Sequence, residues 1–354
     1  MQIERVETTP VQLSLREPYR SAKHPESLSQ VEAIFIRAEL VRDYGDAWGC
    51  AVMDPSSGNT LEQIRQVCQD CADRLPNINP LNTQFALAEL SGLTDGYPTV
   101  QAAMDMVLYD LLGLWSGLPL YRLLGGFRDR IQTSITLGID DVPATVEKAQ
   151  KHAQNGFRIL KLKGGLDPEL DVRRVQAVKR ALPNLNLRLD ADQGYTVEAA
   201  LEVARVLDGK LEFLEQPTPA DDISALRQVT INSPVPILAD ESLRGPASAL
   251  EIVNLRAADG ISTKLASCGG LDCARQIDTI ARAGNLSTMV GCLNEPALLI
   301  AAGLALALSS SNVRYGDLDG HFNLENDPTV PGFTFKDGWL IAREAPGLGC
   351  RVDL

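Results

Sequence analysis

Histidine is scarce in this 354-residue chain: only His24, His152 and His321 occur. Hydrolytic metal centres usually recruit imidazole ligands or paired metals, so that class is disfavoured. Positive charge is also short, with 33 Lys and Arg against 46 Asp and Glu and a net charge of -13. A nucleic-acid binder needs a basic face, and none is visible. No apolar run reaches the ~18 uncharged residues that a membrane helix needs. The nearest candidate, Ala297 to Leu308, reads as a buried helix, so no membrane partner is expected. Glu4, Arg5 and Glu7 leave no apolar signal-peptide core at the start of the chain. Seven scattered cysteines, an odd number, argue against a disulfide framework and predict a reducing, cytoplasmic setting. Cys68 and Cys71 form a lone C-x-x-C in a helical stretch, Leu61 to Leu75. No second ligand pair lies nearby to complete a zinc site, so small helix residues are the expectation.

What is present is an organised alternation. Ile3 to Leu15 and Val31 to Val41 are rich in β-branched residues and read as strands. Between them Pro18 to Gln30 reads as an irregular loop with Arg20, Lys23 and His24, and Trp48 to Gly58 reads as a second loop. From Val100 to Trp115 apolar residues recur with the 3.6-residue period of an amphipathic helix, and Gly125-Gly126 ends that region. Strand-like runs then alternate with helical stretches. The strands are Gln132 to Leu137, Ile159 to Lys163, Asn186 to Asp190, Leu211 to Glu215, Ile237 to Asp240, Gly260 to Lys264, Thr288 to Gly291 and Val313 to Asp317. Alternation of this kind predicts an α/β fold with a parallel sheet, and seven or eight units over ~190 residues predict a closed TIM-like barrel. The expected division is an α+β domain over 1–124, a barrel over 125–319 and a segment over 320–354 that returns to the first domain.

Charged residues end the successive strands, where barrel active sites are built. Lys161 and Lys163 end ILKLK, Asp190 ends NLRLD, Glu215 ends LEFLE, Asp240 ends ILAD and Lys264 ends ISTK. From Lys163 onwards the separations run 27, 25, 25 and 24 residues, the length of one β-loop-α unit. Each charged group is therefore expected on the next strand of the ring, at one height. Three carboxylates on adjacent strands make a hard oxygen site for an octahedral divalent ion. A metal chelated by a substrate carboxylate can stabilise an enolate-like dianion. Lys163 and Lys264 are expected to approach from opposite sides of the ring, which permits a proton to leave one face and return to the other. A lysine acts as a base near neutral pH only when its pKa is depressed, and Lys161 could supply the neighbouring positive charge.

The ordered set K-x-K, D-x-D, E, D-E-S, K resembles the enolase superfamily, in particular its muconate-lactonizing-enzyme subgroup. The resemblance spans nearly the whole chain, through QAAMDMVLYDLLG, GLPLYRLLGG, LKLKGG, LRLDADQGY, LEFLEQP, LADESL, TKLASCGGL and PGLG. It implies a (β/α)7β barrel under an α+β capping domain built from both termini. It implies Mg²⁺ on Asp190, Glu215 and Asp240, acid/base catalysis by Lys163 and Lys264, and Lys161 as the group that steadies the substrate carboxylate. YGDLDGH is similar to the dipeptide epimerases, whose D-x-D pair takes the α-ammonium group of a dipeptide. Asp317 and Asp319 hold that position here; a turn capping the last strand is the alternative reading. The implied reaction is epimerization of a dipeptide at its carboxy-terminal residue. N-acylamino-acid racemization, o-succinylbenzoate synthesis and cycloisomerization are the alternatives within the superfamily. The resemblance also implies a homo-oligomer.

Departures from the pattern set further expectations. Asp192 replaces a frequent Asn and is expected to lie behind the metal ligands or face solvent. His24 stands where the L-Ala-D/L-Glu epimerases often place an arginine, beside Arg20 and Lys23. GCLNEP differs from the usual segment after the seventh strand, yet Glu295 should fall near the substrate. None of the three histidines lies in that segment, where the mandelate-racemase branch has its catalytic histidine. His152 is expected at the surface, and His321 is a candidate for substrate contact.

Overall fold

The computed structural model describes residues 2–23, 25–41, 45–54 and 57–354. Eight strands form one parallel sheet in simple sequence order: Ile135–Leu137, Ile159–Lys163, Asn186–Asp190, Leu214–Glu215, Ile237–Ala239, Gly260–Lys264, Ser287–Gly291 and Val313–Gly316. The sheet curls until its ends meet. Thr133 bridges Gly316 in parallel, and the Ser134 N–H donates to the Gly316 carbonyl at 3.2 Å. An α-helix lies between each pair of consecutive strands, and among the described residues no α-helix follows the last, which makes a (β/α)7β barrel. Arg188 fills the interior below the site. It donates to the Gly316 carbonyl at 2.8 Å, pairs with Glu212 and lies over the rings of Phe213 and Tyr315.

The helices sit where their sequences favour them. Asp141, Asp167, Thr196 and Asp222 cap four of the barrel helices by accepting N–H groups of the first turn. The helix Ala297–Ser309 is buried from Ala297 through Leu308, because it lies between the barrel and the carboxy-terminal strands. Its all-round apolarity reflects that double cover.

The amino-terminal part is an antiparallel sheet of Ile3–Tyr19, Leu28–Leu40 and Ala47–Val52. It packs against the helices Leu61–Arg74, Thr83–Thr94 and Pro98–Ser116. Cys68 and Cys71 are buried free thiols in that core. Residues after Gly320 return to this part. Leu324 bridges Leu15, Gly347 bridges Pro119, and the Asp110 carboxylate accepts N–H groups from both Trp48 and Leu348.

Three sequence expectations need correction. The stretch Ala47–Val52 is a fully buried strand and not part of a loop, because it completes the sheet edge beneath Pro98–Ser116. The first loop is shorter than expected, since the strands run to Tyr19 and restart at Leu28. The run Gln132 to Leu137 is two strands. Arg130–Gln132 pairs with Trp339–Ala342, and the chain then crosses at Thr133-Ser134 into the barrel. An unbroken β-like pattern does not reveal that change of sheet.

Candidate active site

Strand alternation turns Lys161 and Lys163 to the same face of Ile159–Lys163, and Arg188 and Asp190 to the same face of the next strand. In the ladder Lys163 lies opposite Asp190, and Asp190 opposite Glu215. Glu215 then pairs with Leu238, two residues before Asp240, so the charged row climbs from there. The expected single height holds for three groups. The climb beyond them is the strand stagger that closing a barrel requires.

Oxygen atoms of Asp190, Glu215 and Asp240 all lie within 4.8 Å of one another, and the three residues are buried. Lys161 sits among acids, with Nζ 2.9 Å from Asp190, 2.8 Å from Glu215 and 2.7 Å from Asp317. Glu215 is fully buried, yet neither of its oxygens receives a well-directed hydrogen bond. A buried carboxylate with unsatisfied oxygens, beside two more, fits a hard divalent cation ligated by oxygen. Burial and the charge of Asp190 hold the Glu215 carboxyl well above its usual range. Burial also opposes ionisation of Asp190 and Asp240, but the lysines win. Asp190 is held well below the usual carboxylate range by Lys161 and Lys163, and Asp240 is pushed down to about 2 by Lys264.

Lys163 Nζ lies 2.7 Å from Asp190 and 2.5 Å from Asp192, and Lys264 Nζ lies 2.5 Å from Asp240. The Ile159–Lys163 and Gly260–Lys264 strands are four places apart in a ring of eight, so their terminal amines enter from opposite sides. Both line one cavity of about 460 Å³. Burial disfavours the charged form of Lys161 and Lys264, but the surrounding carboxylates outweigh it and raise both. The charge of Lys161 is thus matched by three acids and is not a bare cation beside Lys163. Asp192 does not face solvent: it is buried against Lys163, in the left-handed backbone region at φ 44°. Asp tolerates that conformation better than most residues do.

Asp317 and Asp319 line the same cavity. Asp317 accepts a 2.5 Å hydrogen bond from Ser134 Oγ as well as that from Lys161, which keeps it ionised despite burial. Asp319 accepts the Thr136 N–H at 2.6 Å, and burial together with Asp317 pushes it up to about 6. Glu295 lies behind the cavity wall rather than on it. The wall there is Cys292, Leu293 and Asn294, and Glu295 accepts the Leu293 N–H at 3.1 Å. Burial pushes its carboxyl up to about 8. His24 lies outside the described residues. Its neighbour Lys23 lines the cavity and pairs with Glu241, the residue after Asp240. His321 packs its ring against Phe322 and Phe333 and is absent from the cavity wall. Burial pushes its imidazole down to about 3.

One wall escaped the sequence reading. Lys148, Lys151, His152 and Asn155, on and just beyond the helix Val142–Gln154, line the cavity beside Arg16 and Glu17, and Lys151 donates to Glu17 at 2.9 Å. His152 is half-buried, with its ring edge on Phe157 at 5.8 Å, and is not the surface residue expected. The available signal was the spacing of 148, 151 or 152, and 155, which puts them on one helix face.

The chain matches the family model described as "Enolase C-terminal domain-like" over residues 144–354. It is 38% identical to an L-Lys-D/L-Arg epimerase of Methylococcus capsulatus, over 82% of this chain and 78% of that protein. It superposes with a TM-score of 0.95 on the substrate-liganded L-Ala-D/L-Glu epimerase of Bacillus subtilis, at 30% identity and full coverage of both chains. The dipeptide epimerase of Enterococcus faecalis, in complex with Mg and L-Leu-L-Tyr, superposes with a TM-score of 0.94 at 31% identity, covering 99% of each chain. A ring of strand-end acids and lysines in this barrel, matched along almost the full length by such relatives, makes the chain a member of the enolase superfamily.

Proposed function

We propose that this protein is a magnesium-dependent isomerase that epimerises a dipeptide at the α-carbon of its carboxy-terminal residue. The observation that supports it most directly is the pair of lysines four strands apart, facing one cavity with three clustered carboxylates between them. Asp190, Glu215 and Asp240 would hold the magnesium ion, which supplies positive charge beside the substrate carboxylate. Lys161 adds a further positive charge there. The carboxylates around Lys264 favour its charged form, and the charge of a bound ion on Asp240 would offset that preference. One lysine, as the neutral amine, takes the α-proton from its face, and the electron pair left behind spreads into the carboxylate as an enolate. The opposite lysine, as the ammonium, delivers a proton to the other face. The roles exchange for the reverse reaction, so Lys163 and Lys264 serve opposite epimers.

Asp317 and Asp319 would receive the α-ammonium group of the dipeptide. Asp317 already pairs with Lys161, so among the described residues the unmet demand for a cation lies on Asp319, and that demand separates a dipeptide from an N-acylamino acid. The amino-terminal part and the segment after Gly320 are read as a cap over the cavity, supported by Lys23, which lines it and pairs with Glu241, and by Phe322, Asn323 and Phe335 in its lining. All seven cysteines are free, which supports a reducing, cytoplasmic setting. No helix among the described residues is long and apolar enough to cross a membrane.

The test uses L-Ala-L-Glu, L-Lys-L-Arg and L-Leu-L-Tyr in D₂O with Mg²⁺, read by NMR. At least one should gain deuterium at the carboxy-terminal α-carbon with inversion, and EDTA should stop both. Inversion of an N-acylamino acid with no reaction of any dipeptide would replace this reading with a racemase.

A further inference from the structure

Arg174 is fully buried on the helix Pro168–Ala181 and touches none of the groups assigned to chemistry. Its guanidinium nevertheless converges on the base of the site. Nη1 donates to the Lys163 carbonyl at 2.6 Å and to Asp171 at 3.1 Å. Nη2 donates to the Gly138 carbonyl at 2.6 Å, and Nε to Thr145 Oγ1 at 3.0 Å. On the far side of the same peptide, the Gly164 N–H donates to the Asp190 carbonyl at 2.8 Å. The peptide that follows Lys163 is therefore clamped at both its oxygen and its N–H.

Asp171 extends the clamp. It accepts the Gly165 N–H at 2.9 Å and the Tyr195 hydroxyl at 2.7 Å. Gly165 sits at φ 98°, and a Cβ there would fall 2.0 Å from the Ala191 carbonyl oxygen, so this turn admits only glycine. A buried arginine and aspartate with this many partners form a planar, directional device that no apolar filling reproduces. Among the described residues, no side chain donates to the Lys264 carbonyl.

We infer that Arg174 is a positioning residue for Lys163 alone, fixing the aim of one of the two proton-transferring amines. The inference rests on the two-lysine reading of function. The physical reason is leverage. The amine is roughly 6 Å from its Cα, so a backbone rotation of about 10° moves it by about 1 Å, and such a misplacement can cost about 100-fold in rate. Asp171 keeps the guanidinium ionised and oriented, and Thr145 and Gly138 prevent it from turning away.

The test is Arg174→Lys, which keeps the charge facing Asp171 but cannot span two carbonyls, a hydroxyl and a carboxylate. The probe is whichever of the three dipeptides reacts fastest with wild type, supplied as each epimer in D₂O. Inversion should fall about 100-fold in both directions, because each direction needs both amines. Deuterium exchange without inversion should fall about as far for one epimer and stay within about threefold for the other. Equal losses for the two epimers, or no loss, would overturn the inference. Tyr195→Phe leaves every Arg174 contact in place and should not separate the epimers. If Arg174→Lys does not fold, Thr145→Ala, which removes one anchor, should show the same asymmetry at about fivefold. If wild type exchanges no dipeptide, the functional reading fails by itself. A crystal structure of Arg174→Lys then decides the inference: Lys163 Nζ displaced by about 1 Å with Lys264 in place supports it, and both amines in place refutes it.

Discussion

The two lysines end equivalent strands of one ring, but they rest on different parts of the molecule. Lys163 is backed from within the barrel, by Arg174 and Asp171 on the helix that follows it. The chain after Lys264 instead turns at once into the short helix Leu265–Cys268 and the pair Gly269-Gly270, which lies against Pro98–Ser116 of the amino-terminal part. A Cβ on Gly269 would meet the Gln101 side chain at 2.8 Å, and one on Gly270 would meet Asp105 at 2.7 Å. Asp105 in turn accepts the Leu271 and Asp272 N–H groups at 2.7 and 3.1 Å, capping the helix Leu271–Ala283 from another part of the chain. One amine is thus held by an ion pair inside the barrel. The other is held by an interface, so substitutions in the helix Pro98–Ser116 where it faces Gly269-Gly270 should reach one face of the substrate and not both.

The largest expected effect comes from removing the amines themselves. Lys163→Ala and Lys264→Ala should each lower inversion by about 10³-fold while the fold survives. Each should still exchange the α-proton of one epimer, and the two variants should retain opposite epimers, as NMR in D₂O would show. Retention of the same epimer by both would place the amines on one side and end the comparison. Asp317→Asn serves as the symmetric control. It weakens the partner of a cationic group, so KM should rise about tenfold for both epimers. An unchanged KM argues against the ammonium role. A smaller, one-sided effect is expected from Asp105→Ala. Loss of the cap should cost about 1–2 kcal/mol in denaturant unfolding and slow exchange about fivefold on the epimer that Lys264 serves. Slowing on the Lys163 epimer would mean that the interface does not act through Lys264.

The parts of this comparison were unequally legible in the sequence. Strand-end charges at steps of 24 to 27 residues announced the ring, because barrel geometry forces one unit to span about that length. The bounds Ile159–Lys163, Asn186–Asp190 and Gly260–Lys264 follow from runs whose buried faces leave few alternatives. The supports were not legible. Arg174 sits in PELDVRRVQAVKR, where Asp171 and Arg174 turn inward while Glu169, Arg173 and Arg180 face solvent. Helical periodicity marks a face, but it does not say that a guanidinium on that face replaces an apolar group. The wall of Lys148, Lys151 and His152 was hidden for the same reason. The split of Gln132 from Ile135–Leu137 was hidden by a β pattern that continues while its hydrogen-bond partners change.

The smallest expected effect concerns the acid behind the Lys264 side. Glu295 is buried beneath Cys292 to Asn294, where burial raises its carboxyl from an ordinary 4.5 to about 8, with Lys264 opposing the rise and Asp319 assisting it. Between those values the folded chain keeps a proton that the unfolded chain has released. Stability must then fall as pH rises through that window, by up to about 1.4 kcal/mol per pH unit, and level off above about 8. Glu295→Gln keeps the shape and carries no titrating proton. Its stability relative to wild type should therefore climb from about pH 5 to about pH 8 and stay constant beyond, as denaturant unfolding at several pH values would show. If the variant tracks wild type at every pH, Glu295 is ionised throughout and is a charge partner of Lys264. Lys264 would then have an acid behind it as Lys163 has Asp192, and the difference between the two sides would reduce to what holds their backbones.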